Sequence, residues 1–245
     1  FQSKLDKIAG GMDMYKVAAE DILHVPYAQV NKAQRFTGKV AELALGYQGA
    51  IGALNTMGAA YGASFTDEEA LPIVRGWRDK NKPIVKYWYA CEEAVKLVVL
   101  NAGQAKTVNH VRFYVRDSFL FVDLPSGRKL AYYEPLYDED GFSYMGLNGY
   151  TRKWERIPSY GGKIVENLTQ AIARDVFFHG MRLCETAGIP VVLRVHDELV
   201  APVPEEQAEA ALQTMVRCMT AVPDWAEGLP LNADGFITKR YWKGD

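Results

Sequence analysis

Apolar positions recur at helical spacing through the first hundred residues. Asp13 predicts the start of a helix that runs through Leu23 and stops before Pro26, and a second helix covers roughly residues 30–45, ahead of Gly46. Thr66-Asp67-Glu68-Glu69 has capping-box spacing and opens a third. Pro83 suits the first turn of a fourth, ending at Asn101-Ala102-Gly103. The pattern then shifts to β-branched and aromatic runs. Val108 to Val115, Phe119 to Leu124 and Lys129 to Tyr133 predict strands, with Pro125-Ser126-Gly127 as a turn. Tyr160-Gly161-Gly162 precedes a long helix over about 163–187 that ends at Gly188. Val191 to Val200 reads as a hairpin, and Pro204-Glu205-Glu206 begins an amphipathic helix with acids in its first turn. Helices, a small sheet, then helix–hairpin–helix predict an α+β fold.

Composition narrows the class without naming a function. The 245 residues are 49% hydrophobic, enough for a sizeable core, and the formal charge of −2 gives no global pull towards polyanions. Charge is uneven, however: residues 75–116 are rich in Arg and Lys, and the last predicted helix is acidic. Such runs suit a polyanion ligand but are more often solvated faces. Cys91, Cys184 and Cys218 are far apart and odd in number, which predicts neither disulfides nor a metal knuckle and points to a reducing cytosol. No signal peptide or membrane-length apolar run is present, so no membrane partner is expected. The chain begins with Phe1 and reads as trimmed, processed or cut from something longer.

Three constellations carry candidate chemistry. Asp197 and Glu198 are expected at the tip of the predicted hairpin. Adjacent carboxylates among apolar strands need a neutralising cation, naturally a divalent metal, although an ordinary polar turn fits these residues equally well. In the second helix Arg35, Lys39, Leu43 and Tyr47 recur every four residues along one slowly drifting stripe. Stacked cations disfavour a helix by about 0.2–0.5 kcal/mol, so an anion docked on Arg35 and Lys39, with a flat group on Leu43 and Tyr47, would explain them. The bland alternative is a helix whose Phe36, Val40 and Leu43 are simply core. In the long helix Lys163, Asn167, Gln170 and Arg174 form a donor stripe able to meet minor-groove acceptors common to all base pairs, or else a wet face.

Together these segments resemble the family A, polymerase I-like DNA polymerases, particularly those of phages. Arg35-Phe36-Thr37-Gly38-Lys39-Val40-Ala41-Glu42-Leu43-Ala44-Leu45-Gly46-Tyr47-Gln48-Gly49 is similar to the family's motif B on the fingers helix. Val195-His196-Asp197-Glu198 is similar to motif C, the palm hairpin. Gln170-Ala171-Ile172-Ala173-Arg174-Asp175 resembles the palm helix before it, and Gly228-Leu229-Pro230-Leu231 the family's final strand. The resemblance implies fingers over 1–148 and the C-terminal part of an antiparallel-sheet palm over 149–245, with the motif C hairpin at 190–202. It implies that Asp197 ligates catalytic metal, that Glu198 is the less essential acid, and that His196 sits near the primer 3′ terminus. Arg35 and Lys39 would grip the triphosphate of a deoxynucleotide, Leu43 would lie at the incoming sugar and base, and Tyr47 would guard the templating position. Gln170, Arg174, Lys163 and Arg128 would contact primer-template DNA. The family usually has Phe or Tyr at the Leu43 position and often Gly at the Gln48 position.

Two Mg2+ ions are implied, shared with a motif A aspartate. An Asp-Tyr-Ser-like motif A is not found; Asp6, Asp13 and Asp21 lie on or near predicted helices rather than at a strand end. The expectation is therefore a C-terminal portion that acts with a second polypeptide or upstream segment carrying motif A, thumb and exonuclease, in a bacterial host's cytoplasm if phage-encoded. A non-catalytic, polymerase-derived DNA-binding subunit is the rival. A metal phosphohydrolase ranks lower, because His24, His110 and His179 are scattered.

Overall fold

A computed structural model describes residues 2–241, and they fold as two compact units, Phe1–Leu168 and Thr169–Asp245. The expected α+β class is what is observed. In the first unit, α1 (Gln2–Ala9), α2 (Met14–Leu23), α3 (Lys32–Leu45), α4 (Ile51–Ala60), α5 (Asp67–Lys80) and α6 (Lys82–Leu100) precede the strands. The caps read from the sequence hold. The Asp13 carboxylate accepts from the Tyr15 and Lys16 amides, and Thr66 and Glu69 form the reciprocal box. A second capping box, not expected from the sequence, joins Asn31 and Gln34 at the start of α3. Helix α3 packs on α2 and α5, and Val40, Ala41 and Leu45 are buried. The absence of a side chain at Gly38 is required, since a Cβ there would overlap the Tyr15 carbonyl of α2. Trp77 of α5 and Trp88 of α6 stack with ring centroids 5.9 Å apart, both fully buried.

The predicted strands belong to a larger sheet. β1 (Ala105–Val108), β2 (Val111–Arg116), β3 (Phe119–Asp123), β4 (Lys129–Asp138), β5 (Gly141–Leu147) and β6 (Trp154–Ser159) form one six-stranded antiparallel meander in sequence order. Gly127 makes the turn between β3 and β4 at φ +85°, a backbone region that suits glycine. Phe113, Leu120, Val122, Tyr132 and Phe142 are buried, and the sheet packs on α6. Pro158 is tolerated because β6 is an edge strand.

Helix α7 (Gly161–Thr186) carries the chain across the boundary between the units. In the second unit β7 (Leu193–Val195) and β8 (Glu198–Val200) form the hairpin, and α8 (Ala208–Met219) follows a short 3-10 turn at Glu205–Gln207. A small core of Cys184, Ile189 and Ala211 gathers Val191, Leu199 and Met215 around it, which seats the hairpin. All three cysteines are free thiols. The expected strand at Gly228-Leu229-Pro230-Leu231 does not form: among the described residues the hairpin strands pair only with each other, so this stretch has no partner strand. Among the described residues no helix is long and apolar enough to cross a membrane.

Candidate functional site

The α3 stripe is half-exposed, but its cations are not idle. The Arg35 Nε donates to Asp13 Oδ2 at 2.8 Å, a second guanidinium nitrogen lies 2.8 Å from the same oxygen, and the guanidinium stands over the Tyr15 ring, 5.2 Å from its centroid. Asp13 therefore caps α2 and holds Arg35 with one carboxylate. Desolvation pulls its pKa up, but the hydrogen bonds from Arg35, Lys16 and Tyr15 outweigh that and hold it below the usual carboxylate range. Lys39 Nζ sits 4.3 Å from the centroid of the Tyr61 ring, and Tyr61 in turn meets Phe36 edge-on. Leu43 is 39% exposed, so it is not the core residue that the bland pattern allowed. Tyr47 lies two residues beyond the end of α3, half-buried in the following turn.

That turn is pinned from three directions. Trp88 Nε1 donates to the Gly46 carbonyl at 3.0 Å, and an Arg78 guanidinium nitrogen donates to the Gly49 carbonyl at 3.0 Å. Gln48 adopts φ +67°, a conformation favouring glycine, and its side-chain oxygen accepts from the Gly162 amide at 2.7 Å. Gly162 is in the first turn of α7, whose leading amides lack partners within the helix. Gln48 thus supplies a cap from 114 residues away. A Cβ at Gly162 would collide with Tyr47 and Gln48, so the close approach depends on glycine there.

In the second unit His196 and Asp197 form the two-residue tip of the hairpin, and Val195 pairs with Glu198. This corrects the expected tip by one residue: Glu198 starts β8 rather than sharing the turn. The shift follows from the tight two-residue loop, which uses His196 in the left-handed region at φ +53°. All three are exposed, so the cost of burying carboxylates does not arise in this structure. Glu198 Oε2 accepts from the Tyr241 hydroxyl at 3.3 Å; desolvation and the carboxylate both raise the pKa of that phenol. Among the described residues no group of three or more His, Cys, Asp or Glu is arranged to hold a metal ion. Asp197 alone fits a divalent cation only as part of a ligand set.

The donor stripe on α7 divides. Lys163 is exposed and paired with Glu166 at 2.9 Å, while the half-buried Asn167 donates to the Tyr132 hydroxyl at 3.0 Å. Gln170 and Arg174 are exposed. The guanidiniums of Arg174 and Arg194 both stand over the Phe178 ring, 4.9 and 5.0 Å from its centroid. Arg128, in the β3–β4 turn, is half-buried, and its carbonyl accepts from the Leu124 amide at 2.8 Å. Tyr15, Tyr61, Phe178 and Arg194 carry no pattern in the sequence that marks them. Asp13 is legible as a helix cap, but its bond to Arg35 is not.

The fold is that of a polymerase domain. The POL domain of Pol1 from M. smegmatis, solved in complex with DNA primer-template and dNTP, superposes with a TM-score of 0.58 at 18% identity, over 88% of this chain and 32% of that one. In sequence the chain is 40% identical over 238 residues to the DNA polymerase of Bacillus phage SP02, which is 94% of this chain and 36% of the relative. The chain thus spans about a third of the length of the curated relative it matches. No protein-family model matches it. The resemblance to phage-type family A DNA polymerases read from the three motifs is borne out by these two likenesses.

One expected result follows from the Asp13–Arg35 pair. Asn caps a helix as well as Asp does, so Asp13→Asn keeps α2 intact while releasing the guanidinium. If Arg35 serves a triphosphate, the apparent nucleotide affinity should improve, by no more than about fivefold, since a half-exposed pair contributes about 0–1 kcal/mol. Because the folded pKa of Asp13 is depressed, its contribution to stability is present above the ordinary carboxylate pKa and lost as pH falls through the lower folded value. At neutral pH the parent pair is therefore intact, and nucleotide KM measured there reports the difference.

Proposed function

We propose that these residues form the fingers (1–148) and C-terminal palm (149–245) portions of a template-directed DNA polymerase working in a bacterial host's cytoplasm. The observation that carries the reading is the α3 stripe. Arg35 and Lys39 stand one turn apart, each beside an aromatic ring and neither buried, with Leu43 exposed one turn on. A forked guanidinium and a point ammonium suit a triphosphate, and the likeness to a phage DNA polymerase supports the assignment.

Gln170, Arg174, Lys163 and Arg128 are assigned to primer-template DNA, and His196 to the primer terminus. Asp197 would hold Mg2+ together with an aspartate that is not among these residues, supplied by an upstream segment or a second polypeptide. Bound divalent cations would neutralise the triphosphate and polarise the reacting oxygens. The chain's own part is to orient: Arg35 and Lys39 fix the phosphates, and Tyr47 closes the end of the nucleotide stripe. Glu198, tied to Tyr241, is the more dispensable acid.

The test is primer extension by the chain joined to its completing segment, on four primer-templates that differ only in the templating base. The complementary nucleotide should be added in each case. Primer-template binding without any extension would instead support a non-catalytic DNA-binding subunit.

A further inference from the structure

One face of the six-stranded sheet packs on α6, while the other carries a continuous band of rings. The strand register places Tyr114 opposite Phe121, Phe119 opposite Tyr133, and Leu147 opposite Trp154. Ring centroids then run Tyr114–Phe121 5.6 Å, Phe121–Phe119 5.7 Å, Phe119–Tyr133 5.0 Å and Tyr133–Trp154 6.3 Å. Cations are interleaved with the rings. Arg112 lies 5.3 Å from the Tyr114 centroid and Arg116 5.6 Å from that of Phe121, both exposed.

The alternation of side chains puts Lys129 and Arg156 on the same face. Lys129 pairs with Asp123, Asp117 lies beside Arg116 at the β2–β3 turn, and the Glu134 carboxylate accepts from the Tyr133 hydroxyl. Arg156 donates to the Glu134 carbonyl at 3.1 Å and keeps an exposed side chain. A cross-strand aromatic ladder alone stabilises a sheet. It does not account for Trp154 and Leu147, each 61% exposed, or for guanidiniums set over the rings.

We propose that this outer sheet face binds single-stranded nucleic acid, bases stacking on Trp154, Tyr133 and their neighbours while Arg112 and Arg116 meet phosphates. Flat π-faces stack on any base, and guanidiniums over rings complement the backbone charge. No residue of the band is among those assigned to nucleotide or duplex, so the surface extends the polymerase reading rather than restating it.

Binding of a fluorescently labelled oligo-dT to the 245-residue chain, followed by anisotropy across a salt series, tests this. Trp154→Ala and Tyr133→Ala should each raise Kd by about 5- to 150-fold, the range for losing one stacked base. Arg112→Ala with Arg116→Ala should flatten the slope of log K against log salt by about 1.4. If Tyr133→Ala disturbs the sheet by circular dichroism, the exposed Trp154 and arginine variants carry the test. In the chain joined to its completing segment, Trp154→Ala should leave nucleotide addition on a primer-template with a one-base overhang unchanged. Absence of oligo-dT binding, or binding that survives both Trp154→Ala and the double arginine variant, overturns the inference. No extension by the joined protein, with oligo-dT binding intact, would count against the polymerase reading alone.

Discussion

Replacing Asp197 with alanine is expected to lower primer extension by more than about 100-fold while changing primer-template affinity by less than about threefold. Residues that merely orient a metal's ligands typically cost 10- to 100-fold when removed, so loss of a ligand itself should exceed that. The substitution is local: Asp197 is at an exposed two-residue tip, outside the Cys184–Ile189–Ala211 core, where folding is little affected. Phosphate contacts, which dominate affinity for DNA, are made elsewhere in the proposed arrangement, so binding persists. Extension and electrophoretic binding measured on the same variant separate the two. Glu198→Gln should cost much less, since that side chain is turned to Tyr241. Equal losses in the two variants would argue that the pair acts as a surface charge.

The second large effect concerns Arg35. Arg35→Ala is expected to reduce kcat/KM for the incoming nucleotide by about 10- to 150-fold, mainly through KM. Hydrogen bonds to charged groups contribute about 1.5–3 kcal/mol, and a guanidinium supplies two in parallel to a phosphate. A rise in KM with kcat preserved is the signature of a group that grips substrate and transition state alike. Arg35→Lys should recover charge but not the fork, and so only part of the loss. Since Arg35 also satisfies Asp13, a melting curve on the same protein is needed; Asp13 remains bonded to the Tyr15 and Lys16 amides, so the fold should survive. Unchanged nucleotide kinetics in a folded Arg35→Ala variant would remove α3 from the nucleotide site.

Local chemistry was legible where a side chain acts on its own neighbourhood. The caps at Asp13 and Thr66, the start of α6 near Pro83 and the turn at Gly127 were all readable because each is a short-range interaction. Helix α4 was not: its Ala50 cap makes no side-chain hydrogen bond, and Ile51–Ala60 is Gly- and Ala-rich without a polar face. Strands β5 and β6 were hidden by Gly146 and by Pro158, which an edge position tolerates. Of the candidate site, the spacing of Arg35, Lys39, Leu43 and Tyr47 was visible. The partners that hold the two cations were not. Asp13 lies 22 residues before Arg35, and Tyr61 lies 22 after Lys39, contacts made by folding rather than by pattern. Gln48 illustrates the same limit: its backbone is in the left-handed region that favours glycine, and its side chain reaches Gly162.

Primer extension in Mg2+ by this chain alone and by the chain joined to its completing segment tests the central claim most directly, that Asp197 is part of a metal site finished from outside these residues. The account predicts no extension alone and templated, Mg2+-dependent extension when joined. Robust extension by the chain alone, or none from the completed protein, would contradict it.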